Sequence, residues 1–303
     1  MEKILKKQPV IGFVRYSQKI NFGPEKDVFE AEYFEYRFEI FKKVTLESFQ
    51  QQNDQNFLLL VLHSENMPSH YKQRFHELEE SNSFLHNIFV ADNAESFNES
   101  LKTSYDYVSF EKDAAITFRI DNDDAVQNDF IQKLSAFVKK DFIGYTISVP
   151  AIMIVKRMSN QTFMVEERYY PSNSIGLAYV TNRKGYKTIM HESQHHLVND
   201  TNPMIMFAKN AAVGLQTING ENAINSINFY NAKILSAAEF EKYIHKLNFA
   251  HLDLSCLRIF RAEKNKLKFG LEKVVKLLIP PIFFLLLQKL RCCKFSNFFF
   301  LYF

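Results

Sequence analysis

Ala114-Ala-Ile-Thr-Phe-Arg-Ile120 runs directly into Asp121-Asn-Asp-Asp124. A short, nearly continuous apolar run closed by a polar turn reads as a strand buried on both faces. In open α/β sheets, ligands bind outside the carboxyl ends of the strands, where this acidic cluster stands. Asp121, Asp123 and Asp124 can hold a hard cation, Mn²⁺ or Mg²⁺, through oxygen ligands, and such a cation bridges to a diphosphate. Arg119, two residues upstream of Asp121, can pair with a phosphate or a carboxylate. Asp-x-Asp alone is a short pattern, and an acidic turn that caps a following helix is the competing interpretation.

Working outward, 10–15 is a short apolar run suited to a buried first strand, and 57–62 to a second. Between them, Phe34, Phe38, Phe41 and Phe49 fall near one face of a predicted helix over 33–51. Pro68 opens a polar helix to about 80, 87–90 is a third strand, and a helix is predicted over 94–104. Downstream of the acidic cluster the pattern predicts a helix over 126–139 and β-type runs at 142–149, 151–156 and 175–181. Two short helices are predicted at 188–198 and 202–216, and a last helical region from 237. Strand–helix alternation early and a more mixed pattern later predict a single α/β domain.

The chain has 303 residues, 47% hydrophobic and 23% charged, with 8 Gly and 8 Pro, which excludes disordered and collagen-like classes. Its three cysteines, Cys256, Cys292 and Cys293, make no disulfide framework and point to a reducing compartment. The basic start of the chain lacks a signal-peptide core, so a cytoplasmic protein is expected. Net charge is +3, unevenly spread: residues 256–303 carry 10 Lys and Arg against 2 Glu, while the remainder is net −5. That basic end is also the most apolar part, with an uninterrupted run of 11 apolar residues at 277–287 and Phe298-Phe-Phe-Leu-Tyr-Phe303 at the close. A spanning helix needs about 20 apolar residues; cations and the Pro280-Pro281 pair interrupt this one. Its chemistry suits the interface of a membrane with anionic headgroups, a core-packing C-terminal helix being the alternative. No nucleic-acid partner is expected, because basic residues are not clustered elsewhere.

His191-Glu-Ser-Gln-His195 matches the H-E-x-x-H helix motif of zinc hydrolases, in which His191 and His195 would bind zinc and Glu192 activate water. The extended motif fails, since Val198 stands where Gly belongs and Thr201 where the third His belongs. Glu221 is the only nearby downstream carboxylate in a plausible place for a third ligand, and it lies in a turn-like Asn-Gly-Glu-Asn. With 9 His in the chain a chance match competes, as does a role for these side chains in a polar cleft.

Arg37-Phe-Glu-Ile-Phe41, Thr45-Leu-Glu-Ser48, Gln52-Asn-Asp-Gln-Asn-Phe57, Pro68 and Arg119-Ile-Asp-Asn-Asp-Asp-Ala125 together resemble the rhamnosyltransferase family of bacterial glycosyltransferases. The resemblance implies a GT-A-like fold: a Rossmann-type mixed sheet flanked by helices, here with a C-terminal helical, basic and apolar tail. It implies a glycosyltransferase domain over 1–235; outside the resemblance, helical periodicity and composition set off a helical extension over 236–269 and a membrane-interface segment over 270–303. It also implies that Asp121 and Asp123, with Asp124 nearby, hold the metal of a nucleotide-diphosphate sugar donor. By position in such a fold, Arg15 and Ser17 would lie near the nucleotide and Asp92 near its base or ribose. A family element Trp-Leu-Gln-x-x-His-Gly-x-Asn becomes Gly214-Leu-Gln-Thr-Ile-Asn-Gly-Glu-Asn222 here. Asn219 would then be a weaker, neutral metal ligand, and His195 and His196 become candidates for the acceptor cleft. Asp200 or Glu192 is the candidate catalytic base. The expected acceptor is a surface glycan, free or lipid-linked, met at the cytoplasmic membrane face. A zinc hydrolase and a non-catalytic scaffold in glycan assembly are the alternatives.

Overall fold

Eight consecutive buried residues, Phe57–Ser64, form β2, and only a strand covered on both faces accommodates such a run. In the computed structural model this strand pairs in parallel with β1 (Val10–Arg15) and β3 (Leu85–Val90), and β1 pairs in parallel with β4 (Ala115–Asp121). The structure describes residues 6–17, 27–110, 113–191, 201–206, 212–218, 227, 231–249 and 251–259. Three further strands, β9 (Ala178–Thr181), β6 (Thr146–Ser148) and β10 (Met204–Met206), complete a seven-stranded mixed sheet of order β10-β6-β9-β4-β1-β2-β3. The carboxyl ends of β1, β2, β3 and β4 therefore lie side by side.

Helices cover this sheet as the periodicity predicts. The stretch 31–50 is one helical run: α1 (Ala31–Ile40), a π-helical segment (Phe41–Leu46) and α2 (Glu47–Gln50). Its Phe34, Phe38, Phe41 and Phe49 are all buried. Then come α3 (Ser69–Ser81), with Pro68 as its N-cap, and α4 (Ala94–Thr103), capped by Asn93. Phe97 and Leu101 of α4 meet Ile11, Phe13, Leu58 and Leu60 in one apolar cluster.

A second sheet of five strands has order β12-β8-β7-β11-β5. It comprises β5 (Asp124–Val126), β7 (Ala151–Arg157), β8 (Thr162–Tyr169), β11 (Gly214–Ile218) and β12 (Lys233–Ser236). Two sequence expectations are corrected here. The helix predicted over 126–139 shrinks to α5 (Phe130–Ser135), because Asp124–Val126 instead pairs with β11. The helix predicted over 202–216 is replaced by β10 and β11, and β11 pairs with both β5 and β7. Tertiary pairing outweighs local propensity in both places. Of the helix predicted over 188–198, a 3-10 turn at Ile189–His191 is described and the rest lies outside the described residues.

Packing explains the glycine at position 214, where the resemblance implies Trp. A Cβ at 214 would stand 2.7 Å from Ile175 Cγ2 and 3.3 Å from Ile152 Cγ2. Against the second sheet packs α6 (Ala237–Lys246), entered through a capping box of Ser236 and Glu239. Phe240 stacks on Phe163 with centroids 4.1 Å apart, in a cluster that includes Ile40, Val44, Met153 and Val155. The chain divides into two compact units, Met1–Ile259 and Phe260–Phe303. The second, with the predicted segment 270–303, lies outside the described residues. Among the described residues no helix is long and apolar enough to cross a membrane.

Candidate active site

Parallel pairing places Arg15, the last residue of β1, beside Asp121, the last residue of β4. Arg119 follows the same face two residues back, and its Nη2 reaches Asp121 Oδ1 at 3.4 Å. Ser174 Oγ donates to Asp121 Oδ2 at 3.0 Å. Burial alone would push the Asp121 carboxyl up, but Arg119, the Ser174 hydroxyl and Arg15 outweigh it and hold it below its ordinary value. Arg15 is pulled down from its ordinary value by burial and by the like charge of Arg119, against the attraction of Asp121. Arg119 Nε is buried without a hydrogen-bond partner. Two guanidinium groups thus crowd one carboxylate, an arrangement with a surplus of donors for an anion.

The segment that delivers Ser174 is locked by backbone bonds. Arg119 N–H donates to Leu177 O and Gly176 N–H to Arg119 O, each at 2.9 Å. Gly176 has φ +67, a conformation that favours glycine, and a Cβ there would stand 2.7 Å from the Phe130 ring.

Beyond β4 the acidic turn folds inward. Asn122, Asp123 and Asp124 are buried. Asn122 Nδ2 donates to Tyr16 O at 3.3 Å, tying the turn to the end of β1, and its Oδ1 accepts from Arg37 Nη2. Thr217 Oγ1 of β11 donates to Asp123 O at 2.7 Å. Burial works against the Arg37 charge, yet Asp123 above all, with Tyr33, Tyr16 and Asp121, raises its pKa. Asp124 is the opposite case: burial, then the charges of Asp123 and Asp121, drive its carboxyl well above the ordinary range. Its Oδ1 is buried without a hydrogen-bond partner.

A second cluster joins the ends of β1, β2 and β3. Ser64 N–H donates to Ser17 Oγ at 3.2 Å, and Ser64 Oγ donates to Asp92 Oδ2 at 2.6 Å. Asn66 Nδ2 also reaches Asp92 Oδ2, at 3.3 Å. The sequence-predicted Arg15, Ser17, Asp92, Arg119, Asp121, Asp123 and Asp124 thus all sit along the carboxyl ends of neighbouring strands. Arg37, Ser64, Asn122 and Ser174 join them; Arg37 and Asn122 belong to the motifs that carry the family resemblance, without a site role there, whereas no local pattern marks Ser64 or Ser174.

Glu192, His195, His196, Asp200, Asn219 and Glu221 lie outside the described residues. His191 is described, and its Nδ1 accepts from Thr188 N–H at 3.1 Å within a local turn. Among the described residues no group of three His, Cys, Asp or Glu side chains is placed to cage a metal ion. Oxygen donors at Asp121 and Asp123, with the orphaned Asp124 oxygen close behind, nevertheless fit Mg²⁺ or Mn²⁺. Such ions take one or two carboxylates and complete their shell with water and substrate phosphate.

No curated protein matches the chain. Among solved structures it is similar to S. aureus TarS 1-349 in complex with UDP, at 11% identity and TM-score 0.36, covering 69% of this chain and 60% of that one. It is also similar to the mannosyltransferase PcManGT from Pyrobaculum calidifontis in complex with GDP-Man and Mn²⁺, at 12% identity and TM-score 0.39, covering 73% of this chain and 62% of that one. The chain thus spans about three-fifths of each of these neighbours. The family described as "Putative rhamnosyl transferase" matches residues 12–229, a span that runs from within β1 through β11 and holds the whole acidic turn. With well over half of its length matched, the chain belongs to that family.

Proposed function

We propose that the protein transfers a sugar from a nucleotide-diphosphate donor to a hydroxyl of a surface-glycan acceptor, with Mn²⁺ or Mg²⁺ as cofactor. The observation that carries this is the Arg15–Arg119–Asp121 cluster at the carboxyl ends of β1 and β4. Asp121 and Asp123 would hold the cation, Asp124 and Asn219 completing or backing the shell. When bound, the cation supplies charge neutralisation for the departing diphosphate. Arg15 and Arg119 would donate to the phosphate oxygens, where charge develops as the sugar leaves. Arg37 holds the Asn122–Asp123 turn in place through Asn122. Ser17 and Asp92, joined through Ser64, would face the nucleoside.

Asp200 or Glu192 would take the proton of the acceptor hydroxyl, with His195 and His196 along the acceptor cleft. The basic, apolar segment 270–303 would bring the enzyme to the inner face of the cytoplasmic membrane and to a lipid-linked acceptor. Rhamnose and other hexoses are the candidate sugars. No observation favours zinc hydrolysis, since the described member of its motif, His191, is engaged with Thr188. A thermal-shift panel of UDP, GDP and dTDP with Mn²⁺, Mg²⁺ or EDTA tests the proposal on wild type and on the Asp121→Asn/Asp123→Asn variant. Stabilisation by one nucleotide, only with divalent metal and only in wild type, is the expected result. Destabilisation by EDTA that Zn²⁺ reverses, with no nucleotide effect, overturns it. Nucleotide binding without sugar turnover would instead favour the scaffold.

A further inference from the structure

Five large hydrophobic side chains are exposed among the described residues, and three of them, Tyr169, Tyr170 and Met206, occur together. Single exposed apolar residues need no explanation, but Tyr169 and Met206 are in contact, with Tyr170 next to Tyr169 along the chain. Tyr169 ends β8 of the smaller sheet and is 52% exposed. Its hydroxyl donates to Sδ of Met206, the last residue of β10 in the larger sheet, at 3.3 Å. The patch therefore spans the two sheets.

Tyr170 follows on a fixed turn. Its N–H donates to Pro150 O at 2.7 Å, and its carbonyl accepts from Asn173 Nδ2 at 2.9 Å. Four residues beyond Tyr170, that same turn presents Ser174 to Asp121. Four residues span at most about 14 Å when extended, and the turn shortens this. An exposed aromatic patch is thus tied by a short, hydrogen-bonded segment to the carboxylate of the proposed donor site.

We propose that Tyr169, Tyr170 and Met206 form the acceptor subsite, on which a pyranose ring of the glycan rests its apolar C–H face while its hydroxyls stay in water. This rests on the glycosyltransferase proposal and adds where the acceptor is held. Tyrosine suits such a ligand, being a rigid ring with an apolar body and a polar edge, and methionine adapts to irregular contours. The neighbouring charges are matched: Arg168 grips Glu166 through Nε at 2.9 Å and Nη2 at 2.8 Å, and Glu167, two residues before Tyr169, accepts from Tyr243 Oη and lies 3.9 Å from Lys233 Nζ, so the patch does not select a strongly charged partner. A second copy of the chain is a poor occupant, because a stable interface takes roughly 20–30 residues a side.

The chain contains no Trp, so Tyr169→Trp and Tyr170→Trp each give the full-length protein a sole indole at the patch. Each variant, saturated with its nucleotide, is titrated with methyl α-L-rhamnopyranoside, methyl α-D-mannopyranoside and, as a ringless polyol, glycerol. A saturable change in emission with a glycoside and none with glycerol is expected. Replacing the other tyrosine by Ala should weaken that response about tenfold, as truncating a central aromatic contact does. No glycoside response in either variant overturns the subsite. So does a wild-type dimer that Tyr169→Ala dissolves in sedimentation, which would give the patch to a second copy. The nucleotide thermal shift separates the two proposals. If wild type lacks it, the donor site fails; if it is present and undiminished in Tyr169→Ala while glycosides do nothing, the acceptor subsite alone fails.

Discussion

Asp121 and Asp124 stand three positions apart and are driven in opposite directions. Asp121 has two guanidiniums and a hydroxyl around it and is held in its charged form. Asp124 is enclosed, faces the charges of Asp123 and Asp121, and leaves one oxygen without a partner. Their neutral isosteres should therefore act oppositely on stability. Asp121→Asn removes the counter-charge of Arg119 and should lower stability by about 1 kcal/mol, a small cost because exposed pairs are screened by water and this side chain is 46% exposed. Asp124→Asn relieves a buried repulsion and should raise stability by up to about 1 kcal/mol, the gain typical of correcting a strained functional site. Urea unfolding midpoints at neutral pH decide the matter: equal destabilisation by both substitutions would mean that Asp124 is paired as Asp121 is. Both should weaken metal-dependent nucleotide binding, so for Asp124 stability and function part company.

Strand β2 shows how far an element can be read from its sequence and where such reading stops. Its apolar run marks it as a doubly buried strand, yet the strand continues through His63 and Ser64, both fully buried. The His63 ring packs against α3 and β3, with Phe75 at 4.2 Å and Phe89 at 5.0 Å between ring centroids, and Nε2 at 2.9 Å from Asn87 Oδ1. Asn87 Nδ2 donates to Phe75 O at 2.8 Å, so Asn87 Oδ1 is the acceptor and the imidazole donates through Nε2. Burial, outweighing that hydrogen bond, lowers the His63 pKa from 6.5 to about 3. Between those values the unfolded chain binds a proton that the folded one refuses, so stability rises with pH in this window and is lost as pH falls through it. His63 should thus cost the protein about 2 kcal/mol on going from pH 8 to pH 5. His63→Gln, which keeps a donor for Asn87, should remove that part of the slope; parallel stability–pH curves for the two proteins would show that His63 is protonated while folded. The elements read correctly, β1 to β4 and the helices between them, have strong local patterns. The misread ones, β5, β10 and β11, are three to five residues long and exist through their partners. The site divides likewise: Asp121 and Asp123 carry a motif, whereas Ser174 joins Asp121 across 53 positions of sequence through a turn that no spacing announces.

For the whole molecule, charge is distributed as a body of net −5 ahead of a terminal 48 residues of net +8. An acidic body is repelled by an anionic surface, so any attraction to one must come from the terminal segment. There each Lys or Arg near the surface contributes about 1 kcal/mol, and the apolar run 277–287 adds burial in the acyl boundary. Deleting residues 270–303 removes that run and five of the ten cations. The truncated protein should therefore move from the membrane to the soluble fraction and lose binding to vesicles containing phosphatidylglycerol. Its metal-dependent nucleotide shift should persist, because the described residues proposed to face donor and metal lie between Arg15 and Ser174. Two contributions to anchoring can be told apart by salt. Raising ionic strength from about 0.1 M to 1 M shortens the screening length from about 10 Å to 3 Å, which should weaken vesicle binding of the full chain without abolishing it if Phe and Leu are inserted. Full release by salt would leave a purely electrostatic contact. Retention of the truncated protein on vesicles would place the membrane-binding surface within residues 1–269 and reject the terminal segment as the anchor.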